Sequence, residues 1–214
     1  LRAAAREHGA ARVVATRARD WHLGGEWARL RDGLAADGVR LELREDRGFL
    51  DTPEGFATWA RGRKELRLEL YYREMRRRHG VLLEADGAPA GGEWNYDAEN
   101  RKPWPKGRPA PPVWRVEPDD RTRRLMARVA RWDWCWGPAE GFALPVTRAD
   151  ALAWLERFAV ERLPEFGPYE DAMVDGQPDL LHSTLAPLLN VGLLAPLEVV
   201  RRAERAWREG AAPL

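Results

Sequence analysis

Hydrophobic and polar positions change period along the chain. In VRLELRED (39–46), Val39, Leu41 and Leu43 alternate with Arg40, Glu42 and Arg44, which predicts a strand. ARVVAT (11–16) is a short apolar run with two β-branched valines, the pattern of a buried strand. Between them EWARLRDGLAAD (26–37) sets Trp27, Leu30 and Leu34 on one helical stripe. LRAAAREHGA (1–10) reads as the end of a preceding helix, with Gly9 near its C-terminus. Strand, helix and strand in this order predict a βαβ unit with a parallel sheet. No glycine-rich phosphate loop follows either strand, so the unit announces no nucleotide site.

DTPEGFATWARGRKELRLELYYREMRRRHG (51–80) reads as helix. Asp51 and Glu54 have capping-box spacing, Pro53 suits a first turn, Gly62 suggests a break into two helices, and Gly80 a stop. LRLEL alternates like a strand, but strong helix formers surround it and β-branched residues are absent, so helix is expected there too. Residues 84–118 hold no periodic element. Their tryptophans and Tyr96 argue for an ordered connection between domains rather than disorder. Within it, GGEWNYDAENRKPWPKGRP (91–109) would turn at its glycines, anchor through Trp94 and Tyr96, and be tied down by Asp97, Asn100 and Arg101.

The second half reads as helix alone. RTRRLMARVARW (121–132) is a basic helix. VTRADALAWLERFAVERL (146–163) is a second, with Thr147 as N-cap, Asp150 at its third position, and Leu152, Leu155 and Ala159 as its buried stripe. Apolar helical pieces broken by Pro187, Gly192 and Pro196 follow. The expected fold is therefore an α/β N-terminal part, an incomplete Rossmann-like parallel sheet. A long ordered connector and the beginning of an all-α domain come after it, with divisions at 1–80, 81–141 and 142–214.

Charge refines this picture. The 214 residues carry a formal net charge of +1, but residues 61–131 hold 18 Lys and Arg against 11 Asp and Glu, and residues 132–180 hold 3 against 10. A basic middle suits a phosphate-contacting surface, although solvated helix faces give similar counts. Arg73, Arg76, Arg77 and Arg78 in YREMRRRHG could grip phosphate or carboxylate; the simpler reading is the solvated side of a helix. Cys135 is the single cysteine, which excludes a disulfide framework and fits a reduced cytoplasmic setting. His8, His22, His79 and His182 have no ligand spacing, so no metal site is expected and no residue is assigned a catalytic role. No apolar run spans a membrane. Most of the eleven tryptophans read as core and interface residues; the alternation of Trp132, Trp134 and Trp136 has no account at this level.

LLHSTLAPLLNVGLLAPLEV (180–199) puts His182, Ser183 and Thr184 ahead of a helical stretch, where hydroxyls and backbone N–H groups could receive a diphosphate. The segment resembles the photolyase/cryptochrome signature T-S-x-L-S-P-x-L-x-x-G-x-L-S-P, standing here as HSTLAPLLNVGLLAP from His182 to Pro196. Together with GRKELRLELYYREMRRRHG, GGEWNYDAENRKPWP and LPVTRADAL…RLPEFGPYEDAM, it resembles the deoxyribodipyrimidine photolyase-related proteins, the iron–sulfur (6-4) photolyase and cryptochrome branch. The resemblance implies an α/β antenna domain and a helical FAD domain, with Tyr169, His182, Ser183, Thr184 and Leu185 lining part of an FAD site. His182 replaces the signature's Thr and Ala186 its Ser, which removes one hydroxyl from the diphosphate.

The resemblance further implies a 4Fe-4S cluster, a lumazine-type antenna and a damaged-DNA partner, all for a full-length protein, here taken as a monomer. The chain is expected to be a fragment without activity or tight FAD binding by itself. Two other readings are a cryptochrome-type photoreceptor without repair activity and an inactive truncated remnant.

Overall fold

The computed structural model describes the backbone of residues 1–214 and every side chain except that of Trp21. Its contacts divide the chain into two units, Leu1–Met75 and Arg76–Leu214. The division falls inside one helix.

The first unit contains α1 (Arg2–Glu7), β1 (Arg12–Thr16), α2 (Trp21–Ala36), β2 (Arg40–Arg44), α3 (Pro53–Ala60) and the first turns of α4 (Leu68–His79). β1 and β2 pair in parallel, from Arg12 opposite Arg40 to Thr16 opposite Arg44. The alternating residues thus form the predicted βαβ unit. Its core is small: Leu34 of α2, Val39 and Ala5 are buried, with Leu30, Val13 and Leu41 packed beside them. β1 is not the buried strand its valines suggested. Its residues alternate between exposed and half-buried, and Val14 is on the open face. Among the described residues the sheet has two strands, so little covers that side.

Helix boundaries move where a cap outweighs periodicity. α2 begins five residues before the predicted segment because the Asp20 carboxylate accepts the Leu23 N–H at 3.0 Å. α3 is capped by Thr52, whose hydroxyl accepts the Gly55 N–H, and not by the expected Asp51–Glu54 box. Asp51 instead accepts the Thr52 N–H and the Tyr71 hydroxyl, the latter at 2.7 Å. A Cβ at Gly55 would sit 2.0 Å from the Asp51 carboxylate, so this corner needs glycine. Tyr71 also closes an aromatic trio with Phe56 and Trp59, at centroid distances of 5.2 and 4.8 Å. Gly62, in the left-handed region, separates α3 from α4, as predicted. Leu66 and Arg67 stay outside the helix, contrary to the reading of LRLEL as fully helical.

The second unit contains the end of α4, the long connection, α5 (Asp120–Val129), α6 (Arg148–Glu161), α7 (Leu163–Phe166), α8 (Ala186–Asn190) and α9 (Pro196–Arg208), with 3-10 turns at Asp97–Glu99 and Gly167–Tyr169. Thr147 caps α6 as predicted, accepting the Asp150 N–H at 3.1 Å. The buried side of α6 is Ala151, Trp154, Leu155, Phe158 and Ala159. Leu152, placed in that stripe from the sequence, is 39% exposed, because the stripe lies one residue round the helix. These residues pack with Trp114, Leu185, Leu188 and Leu194 in the principal core.

The connection is ordered by buried charge. Arg76, read as part of a solvated face, is 5% exposed. Its guanidinium donates to the carbonyls of Val81 (3.3 Å), Trp94 (2.9 Å) and Leu82. Arg76 and Arg77 also lie 5.1 and 4.4 Å from the Trp94 ring centroid, which makes Trp94 the anchor its position implied. From α9, Arg201 donates to the carbonyls of His79 and Gly80, and the buried Glu204 accepts the Leu82 N–H at 2.9 Å. Further on, Asn100 donates to Glu170 at 3.0 Å, and Lys102 N–H donates to the Pro168 carbonyl. Arg108 makes a two-pronged pair with Glu165, while Trp104 packs on Tyr169 at 5.3 Å. Arg101 reaches Asp171 only at 4.0 Å between exposed groups and adds little.

Candidate functional site

A cleft of about 1000 Å³ opens in the second unit beside the His182–Pro196 motif. It is lined by Leu125, Met126 and Val129 of α5, by Phe142 and Val146, and by Trp114, Trp154 and Thr184. Most of the lining is apolar, with Arg115, Arg121, Asp119, Glu140 and Asp179 as its charged groups. The Thr122 side chain and its N–H, 2.7 Å away, together hold the Asp119 carboxyl below the usual carboxylate range. The cleft therefore presents fixed charges of both signs around an apolar interior.

The floor beneath Thr184 is built by α6. Trp154 donates its indole N–H to the Thr184 hydroxyl at 3.0 Å, and that hydroxyl donates to the Ser183 carbonyl at 2.7 Å. Thr184 has φ +53°, a left-handed conformation rare for a β-branched residue and costing about 1–3 kcal/mol. Such strain persists where surrounding contacts impose it. Here these include Arg162, 1% exposed, which donates to the His182 carbonyl at 2.7 Å, to the Pro112 carbonyl and to Asp179. Burial pulls the Arg162 guanidinium below the ordinary arginine value, and Asp179 opposes that shift.

Of the five residues named from the sequence, Thr184 lines the cleft. Leu185 is buried in the core beside it. Ser183 precedes them, its hydroxyl accepting the Leu185 N–H at 3.5 Å. His182 contributes its carbonyl to Arg162. Tyr169 packs against Trp104 and under Arg108, 5.5 Å from the guanidinium carbon. The helix inside the motif, α8, is five residues long. Arg162, Trp154 and the α5 wall were missed as site residues. Trp154 and Leu125 could have been flagged as apolar positions of helices adjoining the motif; Arg162 gives no local signal.

Comparison with known proteins places the chain in a family. Residues 1–143 match the family described as deoxyribodipyrimidine photo-lyase-related protein. The chain belongs to the deoxyribodipyrimidine photolyase-related family. It is similar to a (6-4) photolyase of Agrobacterium fabrum (strain C58 / ATCC 33970), with 42% identity over 207 residues. That alignment covers 95% of this chain and 39% of the relative, so the chain spans about two fifths of the length of the photolyase it matches.

An FAD implied by membership of this photolyase-related family can be tested against the residues present. A mostly apolar cleft of about 1000 Å³ with a few convergent polar groups is the size and character of a cofactor pocket. Arg115 and Arg121 are the cations of the lining that a diphosphate would meet, beside the carboxylates of Asp119, Glu140 and Asp179, and Thr184 is the motif residue that reaches the cleft. An iron–sulfur cluster does not fit this chain, since Cys135 cannot by itself supply a cysteine set. Among the described residues, no helix is long and apolar enough to cross a membrane.

Proposed function

We propose that this chain carries the α/β unit and the opening part of the flavin-binding unit of a light-driven DNA photolyase acting as a cytoplasmic monomer. Residues 1–80 would form the antenna-type portion, 81–141 the connector, and 142–214 the start of the helical FAD portion. The observation that carries the reading is Thr184. It stands in the segment that resembles the photolyase diphosphate signature, at the wall of the apolar cleft, and Trp154 donates to its hydroxyl.

Bound reduced FAD would supply, on absorbing blue light, an electron to a pyrimidine lesion in DNA. The chain's own residues would do the holding. Leu125, Met126, Val129 and Phe142 exclude water from the ring system, Arg115 and Arg121 offset phosphate charge, and Arg162 keeps residues 179–184 in place behind the Thr184 surface. His182, Ser183 and Leu185 act as the support of that surface, while Tyr169 would reach a cofactor only beyond its packing on Trp104 and Arg108.

The test is a titration of the purified chain with FAD, read by flavin fluorescence. Saturable but weak binding is expected, too weak to survive purification, and Leu125→Glu in the cleft wall should abolish it. No saturable binding at any FAD concentration, or binding indifferent to Leu125→Glu, counts against the assignment.

A further inference from the structure

The end of α5 carries a second feature, away from the Thr184 wall. Trp132 and Trp134 stack at 4.8 Å between centroids with 17° between planes. The Cys135 N–H to Trp132 carbonyl bond closes the turn that brings them together. Trp134 is 73% exposed and Trp136 fully exposed. Indoles are large apolar groups that proteins seldom leave bare, and three together mark a contact surface.

Their setting is cationic. Arg124, Arg128 and Arg131 follow one another at helical spacing along the solvent side of α5 and its continuation, and all three are exposed. Arg128 lies 5.9 Å from the Trp132 ring centroid. None of the three forms an ion pair among the described residues, whereas Arg73, Arg108, Arg148, Arg157 and Arg202 all do. A solvated helix face would normally satisfy some of its charges through acidic neighbours three or four residues away. Asp120, four residues before Arg124, pairs with Arg123 instead at 3.6 Å, and Asp133 lies inside the turn two residues after Arg131.

Unpaired guanidinium groups beside exposed indoles combine the two elements that hold single-stranded nucleic acid. The cations track phosphates, and the rings stack on bases without regard to sequence. We propose that Trp134 and Trp136, with Arg124, Arg128 and Arg131, form a docking surface for unpaired single-stranded DNA. It acts independently of lesion, flavin and light. A protein partner would leave the three like charges to be matched by its own carboxylates; a DNA strand matches charge and ring together. The choice of DNA over RNA rests on the photolyase reading; the charge and stacking do not.

The test is tryptophan-fluorescence titration of the chain with undamaged oligo(dT), in the dark and without FAD. Saturable quenching is expected. Trp134→Ala with Trp136→Ala should weaken binding by at least about fivefold. Arg124→Gln with Arg128→Gln and Arg131→Gln should reduce the slope of log affinity against log salt by about 2. All these side chains are exposed, so the variants should keep the parent's circular dichroism. Absence of binding, or binding unchanged in both variants, overturns the proposal. Tighter binding of oligo(U) than of oligo(dT) overturns the assignment to DNA. Because neither FAD nor light is present, failure here leaves the flavin reading standing, and failure of the flavin titration leaves this surface standing.

Discussion

The guanidinium carbon of Arg162 lies 3.5 Å from the centroid of the Trp114 ring. Arg162 Nε is buried without a hydrogen-bond partner among the described residues, so the indole face supplies part of what water would have given it. The same guanidinium holds the His182 and Pro112 carbonyls and Asp179. Arg162 therefore joins the connector, α6 and the motif loop in one buried junction.

Replacing it should be severe. Arg162→Met is expected to lower the unfolding free energy by about 2–4 kcal/mol, because three acceptors lose their buried donor. Arg162→Lys, which cannot span all three, should fall in between. Urea unfolding measures this, and a loss below about 0.5 kcal/mol for Arg162→Met would remove the junction from the account.

Glu204 gives the second unit a pH dependence. Burial pushes its carboxyl up, but the Leu82 N–H and the Arg201 and Arg208 guanidinium groups outweigh that and hold it below the ordinary glutamate value. A carboxyl depressed by folding stabilises the fold above its unfolded pKa. That contribution is lost as pH falls through the lower folded-state value. Glu204→Gln should therefore destabilise at pH 7 by about 1–3 kcal/mol, with the gap to wild type closing in acid. Thermal unfolding at both ends of that range decides it; a gap that stays constant with pH contradicts the assignment.

Arg76 orders the corner between α4 and the connection. Arg76→Ala should release the Val81, Leu82 and Trp94 carbonyls and raise amide exchange at residues 81–96 by an order of magnitude or more, with β1 and β2 unaffected. Exchange unchanged at 81–96 would show that Glu204 and Arg201 suffice.

These sites mark the limit of what the chain spells out. Val39, Leu41 and Leu43 declare β2 because the strand period is local, and Thr147 with Asp150 declares the start of α6 for the same reason. The start of α2 is hidden: Gly24 and Gly25 weaken its first turns, and the Asp20 cap supplies the missing signal. Leu152 shows the limit of a stripe read by counting, since Trp154 and Phe158 draw the buried side round by one residue. Arg76 and Arg162 look like any surface arginine because their acceptors are carbonyls distant in sequence. The cleft is tertiary throughout. Of the residues singled out in His182–Pro196 only Thr184 reaches it, and its α5 wall gives no signal there.

Thr184 tests the motif loop itself. Thr184→Val removes the acceptor of the Trp154 indole N–H and should destabilise by about 1–3 kcal/mol, with a shift in tryptophan emission. An unchanged emission spectrum would show that the bond is not formed in solution.

The most direct measurement uses the Agrobacterium fabrum relative. Its segment matching this chain would be replaced by this chain, and the chimera assayed for light-dependent repair of a (6-4) lesion. The account predicts a yellow protein that repairs under blue light and loses its colour on introduction of Leu125→Glu. A folded, colourless chimera without repair would contradict it.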